Sequence, residues 1–159
     1  LRIVYCGSLA IDEIRAVLMT RKARRELDIF FIDYLNLIHI PYTRGSRNET
    51  TDLALGDVVR KVKLMAVELD VPAVLLAQMN RDSDRRLRNS GAIEQVADQV
   101  IFVYRAEKYG ILYDKDTKED LRGVGYLLVA KNRNGATGRA RFRYNVSMTR
   151  FLSYENRLL

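Results

Sequence analysis

The amino-acid sequence predicts an α/β protein with a mainly parallel sheet flanked by helices and a C-terminal antiparallel β-hairpin. Two apolar runs without polar alternation, Ile29–Ile32 and Ala73–Ala77, are typical of strands buried on both faces. Between them Asp52–Asp70 carries apolar residues at helical spacing, which completes a βαβ unit with an expected right-handed crossover. Further on, an Asn-Gly turn separates the apolar strand Gly125–Ala130 from Arg139–Tyr144, where arginine and apolar residues alternate.

The composition is that of one globular domain, 1–159. Hydrophobic residues make up 48% and charged residues 30% of the 159 positions, enough for a sizeable core. No apolar run is long enough to cross a membrane, and no signal peptide is visible. The single cysteine, Cys6, excludes an internal disulfide framework and fits a reducing cytoplasm; with only one histidine, it also argues against a zinc site.

The charge balance is basic. The chain has 27 Lys and Arg against 20 Asp and Glu, a net charge of +7, which favours a polyanionic partner such as nucleic acid. The first residue is Leu1 rather than Met, so we expect the chain to begin inside a longer protein.

The first quarter of the chain predicts a strand and a helix. Leu1–Tyr5 has the composition of a short strand that ends at Gly7, and Ser8 is a candidate N-cap for the following helix. In that helix an apolar stripe at 3.6-residue spacing faces the core, and the basic side is expected to be solvated.

Loops and short elements fill the rest of the chain. Residues 41–48 have turn formers without periodicity and indicate an exposed loop, and residues 81–91 form a second, arginine-rich loop. A short helix near Ala92–Asp98 and a strand, Val100–Tyr104, should follow. We expect Arg105–Arg122 to be a surface excursion.

Two polar side chains end the two apolar strands. Asp33 closes the first and Gln78 the second, so both should meet at the carboxyl edge of a parallel sheet, where α/β sheets bind ligands. In nucleotide-hydrolysing folds such an aspartate holds magnesium. The alternative is that both residues merely cap the turns that follow buried strands.

Four segments together resemble the motor domain of DnaB-type replicative helicases, the hexameric branch of the RecA-like ATPases. The resemblance spans nearly the whole chain and implies the distal half of a RecA-like P-loop NTPase core. The segments, in the order and spacing of the family, are Phe31–Leu37, Leu76–Arg81, Leu87–Asp98 and Lys131–Gly138.

The resemblance implies a role for each nucleotide-site residue. Asp33 matches the Walker B aspartate that orders Mg²⁺ through water, and Gln78 matches the sensor of the γ-phosphate. Lys131 and Arg133 match the basic pair that reaches the ATP of the neighbouring subunit, with Arg133 as arginine finger. For Lys131 and Arg133 the alternative is a solvated hairpin tip.

The resemblance also implies contacts with single-stranded DNA. Arg88, Asn89 and Gly91 match the loop that contacts DNA phosphates in the central channel; the family usually has an acidic residue at the position of Asn89, so only a backbone contact carries over there. Other loop arginines are candidates for phosphate contacts or for an ordinary exposed charge run. They are Arg44, Arg47, Arg81, Arg85 and Arg86.

One departure from the family pattern limits the expected activity. The sequence has no G-x-x-x-x-G-K-[ST] segment, which in this family lies upstream together with the catalytic glutamate. We therefore expect this chain alone to bind ATP poorly and not to hydrolyse it. As part of a complete protein it would belong to a hexameric helicase that uses ATP and Mg²⁺, with a helicase loader and primase as possible partners. The missing strands would leave an open apolar sheet edge that favours self-association.

Two alternative functions stay open. A naturally truncated accessory protein would bind DNA or a helicase without catalysis. A recombinase or clock-type relative would share the RecA-like core, but Arg88–Gln95 is specifically DnaB-like. For Arg139, Arg141 and Arg143 we expect a solvated strand face. For Phe151 and Tyr154 we expect core packing, and the alternative is that they wall a base pocket of a neighbouring subunit.

Overall fold

The computed structural model describes residues 1–4, 9–39, 49–78, 90–145 and 150–154, with the side chains of 49–54 and 90–92 outside that description. The chain divides into two compact units, Leu1–Ala97 and Asp98–Leu159. In chain order the elements are α1 (Ile11–Ala23), β1 (Phe30–Ile32), a 3₁₀ helix (Leu35–Leu37), α2 (Glu49–Leu69), β2 (Ala73–Leu75), α3 (Ser90–Val96), β3 (Gln99–Tyr104), a second 3₁₀ helix (Ala106–Tyr109), β4 (Val124–Asn132), β5 (Gly138–Asn145) and β6 (Arg150–Ser153).

The first unit contains the predicted βαβ arrangement. Strands β1 and β2 pair in parallel, with Phe30 opposite Ala73 and Ile32 opposite Leu75. Helices α1 and α2 supply most of the buried apolar side chains, so the core lies between the helices and one face of the strand pair. The buried core residues are Ile11, Leu18, Phe30, Leu35, Ile38, Val58, Val59, Val62, Met65, Leu69 and Val71.

The described part of the chain covers only one face of the two parallel strands. Phe31 and Val74 lie opposite each other and remain 58% and 39% exposed. Within the described part of the chain, the prediction of burial on both faces is therefore wrong, because helices α1 and α2 cover only the face that carries Phe30.

The beginning of the chain also differs from the prediction. Residues 1–4 form no strand, and Ile3 is 82% exposed, since no described strand pairs with this segment. Helix α1 begins at Ile11 with Ala10, not Ser8, as its N-cap residue. The Glu13 carboxylate accepts a 2.7 Å hydrogen bond from the Ala10 N–H, which satisfies a backbone donor at this helix end.

The second unit is a four-stranded antiparallel sheet in the order β3-β4-β5-β6. The predicted hairpin is its β4–β5 pair, which extends by one strand on each side. Within it Gly125 faces Phe142, and a Cβ atom at position 125 would overlap the Phe142 ring. Phe142 in turn makes an edge contact with Phe151 of β6, with 5.6 Å between ring centroids. The glycine therefore provides the space that this aromatic contact between β5 and β6 occupies.

The segment between β3 and β4, predicted as a surface excursion, supplies part of the core of the second unit. Ala106 and Leu121 are only 2% and 4% exposed, and they pack in the same unit as Val124 and Tyr144. The prediction failed because these two apolar residues lie 15 positions apart among charged neighbours. Only the fold brings such residues together, and neither a helical nor a strand period marks them.

The arginine face of β5 is not simply solvated, which corrects another prediction. The Arg141 guanidinium donates a 2.7 Å hydrogen bond to Glu119 and lies 4.1 Å from the ring centre of Tyr154. Arg143 lies 5.2 Å from the same ring, whereas Arg139 is exposed. The Nε atoms of Arg141 and Arg143 are buried without a hydrogen-bond partner, so the ring face of Tyr154 replaces water for these cations.

Among the described residues, no helix is long and apolar enough to cross a membrane.

Candidate functional site

Asp33 and Gln78 leave the parallel strand pair at the same edge, as predicted. The backbone pairing continues past the ends of β1 and β2, because the Leu76 N–H donates a 3.0 Å hydrogen bond to the Ile32 carbonyl. Asp33 directly follows Ile32, and Gln78 lies two residues beyond Leu76. Both side chains are exposed. The first unit therefore presents a carboxylate and an amide at the carboxyl edge of two neighbouring strands.

The segment after Asp33 is fixed by backbone hydrogen bonds and by one buried anchor. The Leu35 N–H donates a 2.8 Å hydrogen bond to the Leu76 carbonyl, and the Leu35 side chain is only 1% exposed. The peptide bond between Asp33 and Tyr34 is cis. Because backbone hydrogen bonds and the buried Leu35 side chain hold the chain on both sides of Asp33, the backbone that carries its carboxylate is fixed at the strand edge.

This edge fits a metal ion that takes most of its ligands from elsewhere. Among the described residues, no group of three or more His, Cys, Asp or Glu side chains could hold a metal ion by itself. Mg²⁺ commonly keeps several waters and binds one or two carboxylates together with substrate phosphates. The single carboxylate of Asp33 suits such an ion, and it does not suit a cation that needs a cage of protein ligands.

Lys131 and Arg133 lie at the end of β4 in the second unit. Lys131 is opposite Val100, next to an irregularity in the β3–β4 register, and Arg133 is the first residue of the turn that leads to β5. The two residues are thus held close together by the ladder and the turn.

The turn itself is braced by side-chain amides. Gln99 Nε2 donates a 3.3 Å hydrogen bond to Asn132 Oδ1, and Asn132 Nδ2 donates a 3.2 Å bond to the Ala136 carbonyl. These contacts attach the turn to the start of β3. Arg133 therefore projects from a braced turn.

The structure describes some of the predicted site residues and leaves others outside its description. Asp33 and Gln78 belong to the first unit, and Lys131 and Arg133 to the second; each pair is brought together within its own unit. Gly91 lies in α3. This helix spans Ser90–Val96, whereas the sequence predicted a helix near Ala92–Asp98. The predicted DNA-contact residues outside the described part are Arg44, Arg47, Arg81, Arg85, Arg86, Arg88 and Asn89.

Sequence reasoning missed Asp98 as a partner of Arg133. Arg133 Nη1 donates a 2.8 Å hydrogen bond to Asp98 Oδ1, and the Arg133 N–H donates a 2.9 Å bond to the Asp98 carbonyl. Asp98 directly precedes β3. A partner for Arg133 could have been sought there, because the start of β3 pairs with the end of β4, next to the turn that carries Arg133.

A second missed group consists of the carboxylates that face β5. Glu107 accepts hydrogen bonds from the Gly123 N–H at 3.0 Å and from the Tyr144 hydroxyl at 2.8 Å, and these two donors lower its pKa. Glu119 accepts hydrogen bonds from the Tyr154 hydroxyl and from the Arg141 guanidinium, and these two donors lower its pKa. These ionised carboxylates hold the segment before β4 against β5. The sequence signal for these contacts was the acidic segment before β4 together with the arginines of β5.

The chain matches the family described as the DnaB-like helicase C terminal domain over residues 1–153. It is 34% identical over 160 residues to the replicative DNA helicase DnaB of Buchnera aphidicola subsp. Acyrthosiphon pisum, covering 93% of this chain and 32% of that protein. It is 38% identical over 143 residues to the DnaB of Haemophilus influenzae, covering 82% and 28%. The chain thus spans about a third of the length of these curated relatives.

Two solved structures share the fold. One, an ATPase domain, superposes with a TM-score of 0.73 at 27% identity, covering 93% of this chain and 52% of that one. The other, a DnaB-like replicative helicase solved to describe its interactions with primase, gives a TM-score of 0.77 at 28% identity over 97% and 38% of the two chains. The predicted RecA-like fold class and the resemblance to DnaB are therefore confirmed: this chain belongs to the DnaB-like helicase C-terminal domain family.

Proposed function

We propose that this chain is part of the ATP-driven motor of a hexameric replicative DNA helicase, which moves along single-stranded DNA and unwinds the duplex. The observation that carries this proposal is the match of residues 1–153 to the helicase family, with Asp33 and Gln78 at one strand edge. The named relatives are replicative DNA helicases, and one structural neighbour was described with primase. Primase and a helicase loader are accordingly proposed partners of the complete protein.

At the strand edge, Asp33 would order Mg²⁺ and Gln78 would sense the γ-phosphate of ATP. The exposed carboxylate of Asp33, on a backbone that neighbouring hydrogen bonds fix at the strand edge, supports the first role. When bound, the magnesium ion neutralises phosphate charge during phosphoryl transfer. Gln78 precedes the arginine-rich segment 81–91, so its amide would connect the state of the nucleotide with the proposed DNA contacts.

In the second unit, Lys131 and Arg133 would act on the ATP of a neighbouring subunit. A guanidinium placed against the γ-phosphate stabilises the charge of the transition state and can accelerate hydrolysis by orders of magnitude. The braced turn supports this role, because an arginine finger must be presented at a defined position.

The loop arginines and Gly91 would contact DNA phosphates, which supply affinity and salt dependence but little sequence preference. The net charge of +7 supports this proposal. Because this chain carries no glycine-rich phosphate loop, we propose that it hydrolyses ATP only within the complete protein.

The proposal is tested by Arg133→Ala in the complete protein. An arginine finger is worth about 10³–10⁵-fold in turnover, so DNA-stimulated ATPase activity should fall by orders of magnitude. Arg139→Ala is the matched control, since Arg139 is exposed on the same hairpin and should be dispensable. Activity of the Arg133→Ala protein within about threefold of wild type would exclude the finger role, since fingers contribute far more.

A further inference from the structure

Arg133 has an anionic partner in its own chain. Its Nη1 atom lies 2.8 Å from Asp98 Oδ1, and the two side chains are 51% and 43% exposed. An exposed ion pair of this kind is weak, because water and salt screen it. The pair can therefore break without disturbing the rest of the unit.

The backbone, not the ion pair, sets the position of these two residues. The Arg133 N–H donates to the Asp98 carbonyl at 2.9 Å, directly beyond the paired residues Gln99 and Asn132. The side-chain bond between Gln99 and Asn132 holds the same end of the ladder. If the guanidinium left Asp98, the turn would thus keep its place, and only the Arg133 side chain would move.

We propose that Asp98 is the resting partner of Arg133: a carboxylate that holds the guanidinium until a phosphate takes its place. This inference rests on the proposed finger role of Arg133. A guanidinium binds carboxylate and phosphate through the same planar set of donors, so the two anions compete for it. While Arg133 is paired with Asp98, the fraction available to the neighbouring nucleotide is reduced, and the apparent efficiency of hydrolysis falls by the same factor. Asp98 is therefore a positioning residue that lowers ATPase activity in the resting enzyme.

The test uses the complete protein without DNA. Asp98→Asn removes the charge and keeps the shape of the side chain. Because an exposed pair contributes at most a few-fold to an equilibrium, kcat/KM for ATP should rise about two- to fivefold. Asp98→Ala should give the same gain in kcat/KM, so the test can still be made if one of the two variants folds poorly. Asp98→Glu keeps the carboxylate and should stay close to wild type.

The gain must act through Arg133. In the Arg133→Ala background, Asp98→Asn should change kcat/KM by less than the error of the measurement, because the finger that it releases is absent. A purely structural aspartate would instead give a loss of activity with or without Arg133.

Each outcome separates this inference from the proposed function. If Arg133→Ala lowers turnover by orders of magnitude but neither Asp98→Asn nor Asp98→Ala raises kcat/KM, the finger role stands and the resting-partner inference is wrong. A gain that persists without Arg133 also contradicts the inference. If Arg133→Ala is harmless, the finger role and the inference both fail.

Discussion

The two units of this chain are stabilised by different chemistry around similar strands. In the first, helices α1 and α2 bury aliphatic side chains against one face of a parallel pair, and the core residues are all apolar. In the second, a small apolar core around Val124 is accompanied by arginines that pair with carboxylates and tyrosine rings.

The difference shows how a strand sequence depends on what covers it. A strand that packs against a helix can be a continuous apolar run, as in β1. Strand β5 is faced by the segment between β3 and β4, which carries Glu107 and Glu119, and the strand contributes tyrosine and arginine to that contact. The same geometric element thus has an apolar or a charged sequence according to its neighbour.

The largest expected effect is a truncation in the first core. Leu35→Ala removes a side chain that is 1% exposed, and large-to-small changes at such sites cost about 2–5 kcal/mol of unfolding free energy. Urea unfolding followed by far-UV circular dichroism measures this loss. Leu64→Ala is the matched control: Leu64 is 61% exposed on α2, and its loss should stay within about 0.5 kcal/mol. Equal losses at both positions would contradict the description of this core.

An intermediate effect is expected from acid on the second unit. Hydrogen bonds from Gly123 and Tyr144 lower the pKa of Glu107 below its ordinary 4.5, and those from Tyr154 and Arg141 lower that of Glu119. Both contributions are fully present above the unfolded pKa and are lost as the pH falls through the lower folded pKa. The stability advantage of wild type over a Glu107→Gln/Glu119→Gln variant should therefore be constant near neutral pH and shrink below pH 4.5. The same advantage at pH 7 and pH 3 would overturn this account of the two carboxylates.

The smallest effect is expected for an exposed ion pair of the first unit. Arg15 and Glu68 join α1 to α2 at 2.5 Å, but their side chains are 48% and 44% exposed. Arg15→Ala should leave the urea midpoint unchanged within error. Arg141→Ala is the contrasting variant, because Arg141 is 30% exposed and also lies over Tyr154, and it should lower the midpoint. An Arg15 effect equal to that of Arg141 would remove the distinction between the two units.

The sequence predicted those features that depend on neighbours along the chain. The apolar runs before Asp33 and Gln78 located both strand ends, and the Asn-Gly turn located Arg133. The strand predicted over Leu1–Tyr5 is wrong for the described residues 1–4, because a strand needs a paired neighbour and composition alone does not supply one.

Features that depend on distant partners follow from the fold, and the sequence shows only where to look for them. Glu119 and Tyr154 are 22 and 13 positions from Arg141; an acidic loop before an arginine strand indicates such contacts, but no local pattern identifies these two residues. Asp98 is 35 positions from Arg133 and becomes its partner only through the antiparallel register of β3 and β4. The strand ends of the candidate site were thus predictable, whereas the partners of its arginine were not.

The close packing of Phe142 over Gly125 has a consequence for the substitutions that this sheet tolerates. Any side chain at position 125 displaces the ring, and with it the edge contact to Phe151 that joins β6 to β5. In a saturation library, position 125 should accept a larger residue only together with a smaller one at 142. Substitutions at positions 125 and 142 should therefore be coupled: a single change at either position destabilises the sheet, whereas a larger residue at 125 combined with a smaller one at 142 is tolerated.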